Sequence, residues 1–382
     1  MDSRYFTAEH EAFRKTVRDF VEKELIPHID EWEEKEEMPR EIFPRMGQLG
    51  FFGLRFPEEY GGSGVDFFFS VIFAEELARC GSGGVTSSIM VQSDMVTPII
   101  YRLGTEDQKR HYLIPGIRGE KLFALGISEP NAGSDVSGIQ TMGVRNGDEY
   151  VINGTKIFIS NGCIADCVML AAKTDKTVKG TRGISLFLVN KERAGFSVGR
   201  KLRKMGRWSS DTAELVFEDC RIPRNNLLGK EGEGFYQIMD HFQGERLLIA
   251  VRCVSMTQKV LEDTIRYAQE RVQFGQPIGK FQAIRHMLAD MATEIEAARQ
   301  LTYYAAWLYH QGIKAVKEIS MAKLFATEMA NRVTNNALQI HGGYGYMLEY
   351  PVQRVFRDLR CESIGGGTSQ IQREIIGKEL GL

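Results

Sequence analysis

Glu149-Tyr-Val-Ile-Asn-Gly-Thr-Lys-Ile-Phe-Ile-Ser160 is the stretch that divides this chain. Two β-rich runs flank Asn153-Gly154, and because both residues accept positive φ the dipeptide predicts a hairpin turn. Further β-rich runs follow at Cys167–Ala171, Ile184–Val189 and Ala213–Phe217. Turns separate them, and no helical stretch intervenes as a βαβ pattern would require. Residues 121–231 are therefore expected to form an antiparallel β domain. The texture on either side is helical. In residues 1–120, Phe13, Val17, Phe20, Val21 and Leu25 share one face of a 3.6-residue period. Gly61-Gly62-Ser63-Gly64 reads as a turn before a helix through Phe73, Leu77 and Ala78. In residues 232–382, Ile284, Met287, Leu288, Met291, Ile295 and Ala298 form a stripe within a helix from Phe281 to His310. Gly234–Arg271 and Val316–His341 flank it, which reads as a four-helix bundle. The expected fold is mostly α with a central β domain.

Composition narrows the function. The chain has 382 residues, 43% hydrophobic and 26% charged, with a net charge of −2. That balance argues against nucleic acid or an anionic membrane as the main partner. Six cysteines without a CxxC pair point to free thiols in a reducing compartment. No apolar run approaches the ~18 residues of a membrane span. The first twenty residues lack both a signal-peptide core and the acid-poor character of a transit peptide. A soluble intracellular protein is expected, cytoplasmic or, if eukaryotic and processed, in the mitochondrial matrix. The acidic run Asp30–Glu37 reads as a solvated surface.

Several chemistries lack their residues. No histidine pair stands at i,i+4, and no metal-ligand set is expected. Gly343-Tyr-Gly345 lacks the third glycine of a nicotinamide fingerprint, and no phosphate-loop motif occurs. Ser320-Met-Ala-Lys323 matches the SxxK acyl-serine pattern, but it lies in a helical stripe without companion motifs and reads as coincidence. Arg200, Lys201, Arg203, Lys204 and Arg207 carry no interleaved aromatics and read as a loop surface, with a phosphate-bearing ligand as the alternative.

Two segments suggest a site. In Phe123-Ala-Leu-Gly-Ile-Ser-Glu-Pro-Asn-Ala-Gly-Ser-Asp-Val136, Pro130, Asn131 and Gly133 disfavour regular structure. A turn of small side chains, hydroxyls and backbone N–H groups can approach a planar ring or a pyrophosphate closely. An ordinary interdomain loop would have the same composition. In Lys156-Ile-Phe-Ile-Ser-Asn-Gly162, strand alternation puts Phe158 on the face of Ser160, a wall for a stacked heterocycle. Alone, Phe158 would read as core.

Together these segments resemble the acyl-CoA dehydrogenase family. The resemblance extends to Arg271-Val-Gln-Phe-Gly275, Phe281-Gln-Ala-Ile284, Gln339-Ile-His-Gly-Gly-Tyr-Gly345 and Gly366-Gly-Thr-Ser-Gln-Ile371. It implies bound FAD, an acyl-CoA substrate, a homotetramer, and electron-transferring flavoprotein as acceptor. By position, Leu125, Ile127 and Ser128 match contacts to the flavin ring, and Ser134 a contact at the pyrophosphate that also borders the substrate. Phe158 and Ser160 match the aromatic and hydroxyl beside the isoalloxazine; Thr368 and Gln370 match ligands near the adenosine. Arg271, Phe274, Gln339 and Gly343 match positions that touch FAD held mainly by a neighbouring subunit.

The catalytic base departs from the commoner family pattern. Many members carry glutamate directly before Gly-Thr-Ser-Gln, where this chain has Gly366. Long-chain and isovaleryl-type members place it on a bundle helix, in a segment resembling Gln243-Gly-Glu-Arg-Leu-Leu-Ile-Ala250. The resemblance thus makes Glu245 the base, Arg246 a contact to CoA, and the Gly366 N–H a donor to the thioester oxygen. It implies proton abstraction by Glu245 with hydride transfer to flavin N5, giving the trans-2-enoyl-CoA from a fatty or branched acyl-CoA. Alternatives are a flavin oxidase or monooxygenase on the same scaffold, a degenerate binding protein, or a dehydrogenase of cyclic or functionalised acyl groups. The resemblance puts the acyl pocket near Met90–Pro98 and the Gly365–Gly367 turn, with Asp94 facing water or, as the alternative, a functionalised or cyclic acyl group.

Overall fold

The computed structural model of the chain describes residues 4–175, 177–178 and 180–382. Helix α1 (Ala8–Phe20) opens on a capping box, in which the Thr7 hydroxyl accepts from His10 N and the His10 ring accepts from Thr7 N. It buries Val17 and Phe20, and the same face continues through a π-helical stretch at Val21–Leu25. Helix α2 (Phe67–Ala78), capped by Asp66, is buried along nearly all of its length. Helix α3 (Gly83–Met90) runs into a π-helical stretch, Val91–Val96. The acidic run is not simply solvated. Glu33 is buried and accepts from Ser82 Oγ and Ser209 N, both at 3.1 Å, so that it joins the helical domain to the β domain.

The central sheet contains β1 (Phe123–Gly126), β2 (Met142–Asn146), β3 (Glu149–Ser160), β4 (Cys167–Lys173), β5 (Ile184–Asn190), β6 (Phe196–Lys201), β7 (Thr212–Pro223) and β8 (Leu227–Leu228). The main path runs β6-β7-β3-β2-β4-β5-β8, largely antiparallel, with β1 pairing parallel to β4. The hairpin expected at Asn153-Gly154 is not there. The turn is Gly147-Asp148, between the paired residues Asn146 and Glu149, and Gly147 has φ +65°. Strand β3 continues through Gly154 as a bulge, where a Cβ would lie 2.7 Å from Thr141 Cα and Cβ. A glycine in a strand can thus mark close approach rather than a turn. A second bulge between Lys156 and Ile159 breaks the alternation expected to run from Phe158 to Ser160. The stretch Phe123–Val136, expected to be one turn, begins as strand β1.

Helices α4 (Gly234–Glu270), α5 (Gln282–His310), α6 (Val316–His341), α7 (Pro351–Arg360) and α8 (Ser369–Glu379) complete the chain. Helix α6 packs against α4, α5 and α8, forming the four-helix bundle. Met291, Ile295 and Ala298 of the expected stripe are buried. One apolar core joins the N-terminal helices to this bundle, including Phe20, Phe51 and Phe73 with Leu247, Val251 and Ala326. Alternate residues of β4 divide between two further cores, Met169 on one sheet face and Val168 and Leu170 on the other. The basic cluster is only partly surface: Lys204 donates to Ser210 O, and Arg207 lies 2.8 Å from buried Glu362. All six cysteines are free, and no helix among the described residues is long and apolar enough to cross a membrane.

Candidate active site

Helix α4 carries Glu245 and Arg246 to a turn at the far end of the chain, Ile364-Gly365-Gly366-Gly367-Thr368. The turn needs glycine: Gly366 and Gly367 have φ +63° and +90°. Its carbonyls are held by side chains. Arg246 Nε donates to Gly366 O at 3.3 Å, and Lys323 Nζ donates to Gly367 O at 2.7 Å. Gln372 Nε2 donates to Gly366 O and Gly367 O at 3.3 and 3.1 Å. Thr368 caps α8, its hydroxyl accepting from Ile371 N, and Gln370 is exposed in the first turn. A Cβ at Gly366 would lie 3.9 Å from Glu245 Oε1, so the helix and the turn face the same space.

Glu245 is half-buried, and its Oε2 is out of solvent contact with no hydrogen-bond partner. Burial pushes its carboxyl up to about 7, against the pull of Arg246, Arg252 and Lys323 and with Glu362 adding to the rise. A carboxyl of that basicity is suited to take a proton near neutral pH.

A second group lies on β1, the loop after it, and β3. Leu125 is in β1, with Ile127 and Ser128 immediately after it. Ser128 O accepts from Ile157 N at 2.9 Å, which fastens the loop beside Phe158 and Ser160. Buried Lys156 lies 2.7 Å from Glu129 Oε1 and donates to Ile127 O at 3.0 Å. Glu129 also accepts from Gln140 N and Thr141 N. Burial pushes the Glu129 carboxyl up, but the Lys156 ammonium and these donors outweigh it and hold it below the usual value. Asn161, fully buried, donates to Ser88 O and Phe123 O, tying α3 to β1. The loop is thus rigid where it meets the sheet and open beyond it. Ser134 is exposed, and nothing lies within 4 Å of a Cβ at Gly133. Phe158 has φ +62° and is 68% exposed, so it is not core. An apolar ring held outward by a strained backbone calls for a covering ligand. These features fit a flavin dinucleotide.

A third group lines a separate open cleft of about 560 Å³, bordered by Tyr267, Arg271, Ile278, His341, Gly343 and Tyr344. The Arg271 guanidinium lies over the Tyr344 ring, 5.1 Å from its centroid. Phe274 is 92% exposed with φ +52°, and Gln339 is exposed at the end of α6. Asp94 departs from expectation. It does not face water but is buried, 3.1 Å from Arg55 and accepting from Ser93 Oγ at 2.5 Å.

Glu129, Lys156, Asn161, Lys323 and Gln372 escaped the sequence reading as parts of the site. Each acts by holding backbone, and long-range partners of that kind leave no local pattern. The lysine of the SxxK match is the one whose sequence signal existed but pointed to different chemistry.

Residues 7–120, 124–220 and 232–381 match the family models described as acyl-CoA dehydrogenase N-terminal, middle and C-terminal domains. The chain is 45% identical over 375 residues to the probable acyl-CoA dehydrogenase YngJ of Bacillus subtilis, covering 98% of each chain. It is 43% identical to the caffeyl-CoA reductase-Etf complex subunit CarC of Acetobacterium woodii, covering 98% of this chain and 99% of that one. It is also similar to the crystal structure of acyl-CoA dehydrogenase from Geobacillus kaustophilus, with a TM-score of 0.97 and 42% identity. That match covers 99% of this chain and 100% of the other.

Proposed function

The chain belongs to the acyl-CoA dehydrogenase family, and from that premise we propose that it oxidises a fatty or branched acyl-CoA to the trans-2-enoyl-CoA with Glu245 as base. The observation that carries this reading is a carboxyl with one buried, unpartnered oxygen, facing a turn at Gly366, which bears no side chain. Removing a proton alpha to a thioester builds negative charge on the carbonyl oxygen. A backbone donor aimed at that oxygen stabilises the charge as it develops. Gly366 keeps this donor while leaving the carboxylate to α4. Arg246, held against Gly366 O, is placed for the CoA side of the substrate.

FAD, when bound, supplies the two-electron acceptor for the hydrogen at the β-carbon. Leu125, Ile127, Ser128, Ser134, Phe158 and Ser160 would hold its ring and pyrophosphate, and Thr368 and Gln370 its adenosine side. Arg271, Phe274, Gln339 and Gly343 would hold FAD of a second subunit, which makes a homotetramer part of the reading. Electron-transferring flavoprotein is the proposed acceptor; the name of CarC, a subunit of a reductase-Etf complex, supports it. A second reading, a functionalised or cyclic acyl group, is favoured by the ion pair that buried Asp94, in the segment assigned to the acyl pocket, makes with half-buried Arg55.

Anaerobic titration with acyl-CoAs of graded length and branching tests the reading. Wild-type flavin should bleach with a subset of them, and the Glu245→Gln protein, equally yellow, should not. Bleaching at the same rate in Glu245→Gln would remove Glu245 from its role.

A further inference from the structure

We propose that Lys323 is a positioning residue for this reaction, clamping the Gly366–Gly367 turn and setting a fixed positive charge beside the turn that Glu245 faces. This rests on Glu245 being the base. The lysine is fully buried on α6, and its ammonium donates to Gly367 O at 2.7 Å. Burying an ammonium is costly unless it is paired; burial draws its pKa down, and Glu362 is the chief opposing influence.

Three adjacent glycines would be a loose turn on their own, because each can adopt either sign of φ at little cost. Lys323, Arg246 and Gln372 together place donors on two consecutive carbonyls. Fixing those oxygens fixes the two peptide planes that follow Gly366, and so anchors the C-terminal side of the residue whose N–H, in the preceding plane, is the proposed donor. A Cβ at Gly366 would be 3.9 Å from Glu245 Oε1 and 4.0 Å from Lys323 Cε. Base and lysine therefore flank the same turn. The charges that bear on Glu245 are Arg246 and Arg252 from its own helix, Lys323 from α6, and Glu362 from the segment after α7. Among them Lys323 alone is a cation brought from another helix. Ser320, one turn earlier, has a buried hydroxyl without a partner, so no serine–lysine pair forms. The motif's lysine serves the turn instead.

The test compares Lys323→Met, Lys323→Arg and Gln372→Leu holoenzymes. In Lys323→Met, Gln372 still reaches Gly367 O, so the protein should fold, as checked by circular dichroism and thermal melting. Its flavin reduction by acyl-CoA should slow by about 100-fold, the scale of a small misplacement of reacting groups. The acid limb of its pH profile should move alkaline. Infrared titration of the carboxyl band absent from Glu245→Gln should show the same move without turnover. Gln372→Leu should slow reduction and leave the limb where it was. Lys323→Arg, which keeps the charge, should also leave the limb in place, and stands in if Lys323→Met does not fold: a moved limb in Lys323→Arg would overturn the proposal. A folded Lys323→Met with wild-type rate and limb would overturn it, as would a slowed rate with an unmoved limb. If wild-type flavin is reduced by no acyl-CoA, the proposed function itself fails, a result distinct from either.

Discussion

Moving the carboxylate across the cleft is the sharpest perturbation the geometry offers. Glu245→Gln should lower turnover by about 1,000-fold, within the range for losing a general base. A glutamate at residue 366 would begin 3.9 Å from where Glu245 Oε1 ends, close enough to address the same carbon. The simple double variant, however, carries two costs. Gly366 has φ +63°, and a side chain there costs about 1–2 kcal/mol. Its Cβ would also lie 2.6 Å from Ile249 Cδ1, an overpacking of about 1–3 kcal/mol. Ile249→Val removes that methyl at about 1 kcal/mol. The combined loss of about 3 kcal/mol is tolerable within a stability of about 5–15 kcal/mol. The triple variant Glu245→Gln, Ile249→Val, Gly366→Glu should therefore recover at least about 10-fold in flavin reduction over Glu245→Gln, read by anaerobic stopped flow. A triple variant that folds, retains FAD and binds acyl-CoA yet reacts no faster than Glu245→Gln would show that the two positions do not converge on one carbon.

The raised Glu245 pKa also links activity and stability to pH in opposite senses. Flavin reduction should rise with pH through about 7 as the base form appears. The folded state keeps a proton that the unfolded chain loses from the ordinary 4.5 upward, so this group's contribution to stability falls as pH rises between those values. Glu245→Gln should accordingly gain melting temperature relative to wild type at pH 8 and not at pH 4; a constant difference would contradict the assignment. Lys156→Met leaves Glu129 buried without its cation and should cost about 3–5 kcal/mol by denaturant melting, with loss of flavin on gel filtration. Arg271→Ala with Phe274→Asp changes one half-buried and one exposed group, neither in an apolar core, so circular dichroism should be unchanged while light scattering shows loss of tetramer and the yellow colour washes out. A yellow tetramer would remove these residues from the shared site.

The helices were legible because amphipathic periodicity is a local signal: Val316–His341 is a helix over the span its pattern suggested. The sheet was legible as a domain but not in its turns. Three Asn-Gly pairs occur, at 146–147, 153–154 and 161–162, and contact with Thr141 distinguishes the bulged Gly154 from Gly147, which turns the chain. Phe158 illustrates the opposite case. Its residue type suggests core, while φ +62° and 68% exposure come from a bulge set by the pairing with β7, which no window of sequence contains. The burial of Asp94 and Glu33 has no local sequence signal for the same reason, since their partners, Arg55 for one and Ser82 with Ser209 for the other, lie on other elements.

Why, on the proposed reading, a glycine suffices at residue 366 follows from what the turn must supply. The reaction needs a donor at the thioester oxygen and a base at the α-carbon, and only the donor is backbone. A turn with φ positive at two successive residues is easiest to build from glycine, and Ile249 fills the space a side chain at Gly366 would take. With Glu245 of α4 as the proposed base, a side chain on the turn is surplus, and the strain of keeping one there has no return. The trade is one of rigidity. A glycine turn must be held from outside, and the donors from Arg246, Lys323 and Gln372 do so. Base placement and turn clamping are then two parts of a single solution, so variants of Glu245 and Lys323 combined should be far from additive. In a double-mutant cycle, Lys323→Met should cost much less in the Glu245→Gln background than in wild type, because once the base is gone neither its basicity nor its alignment with the donor limits the rate. Equal costs in the two backgrounds would mean that the lysine holds the fold and not the chemistry.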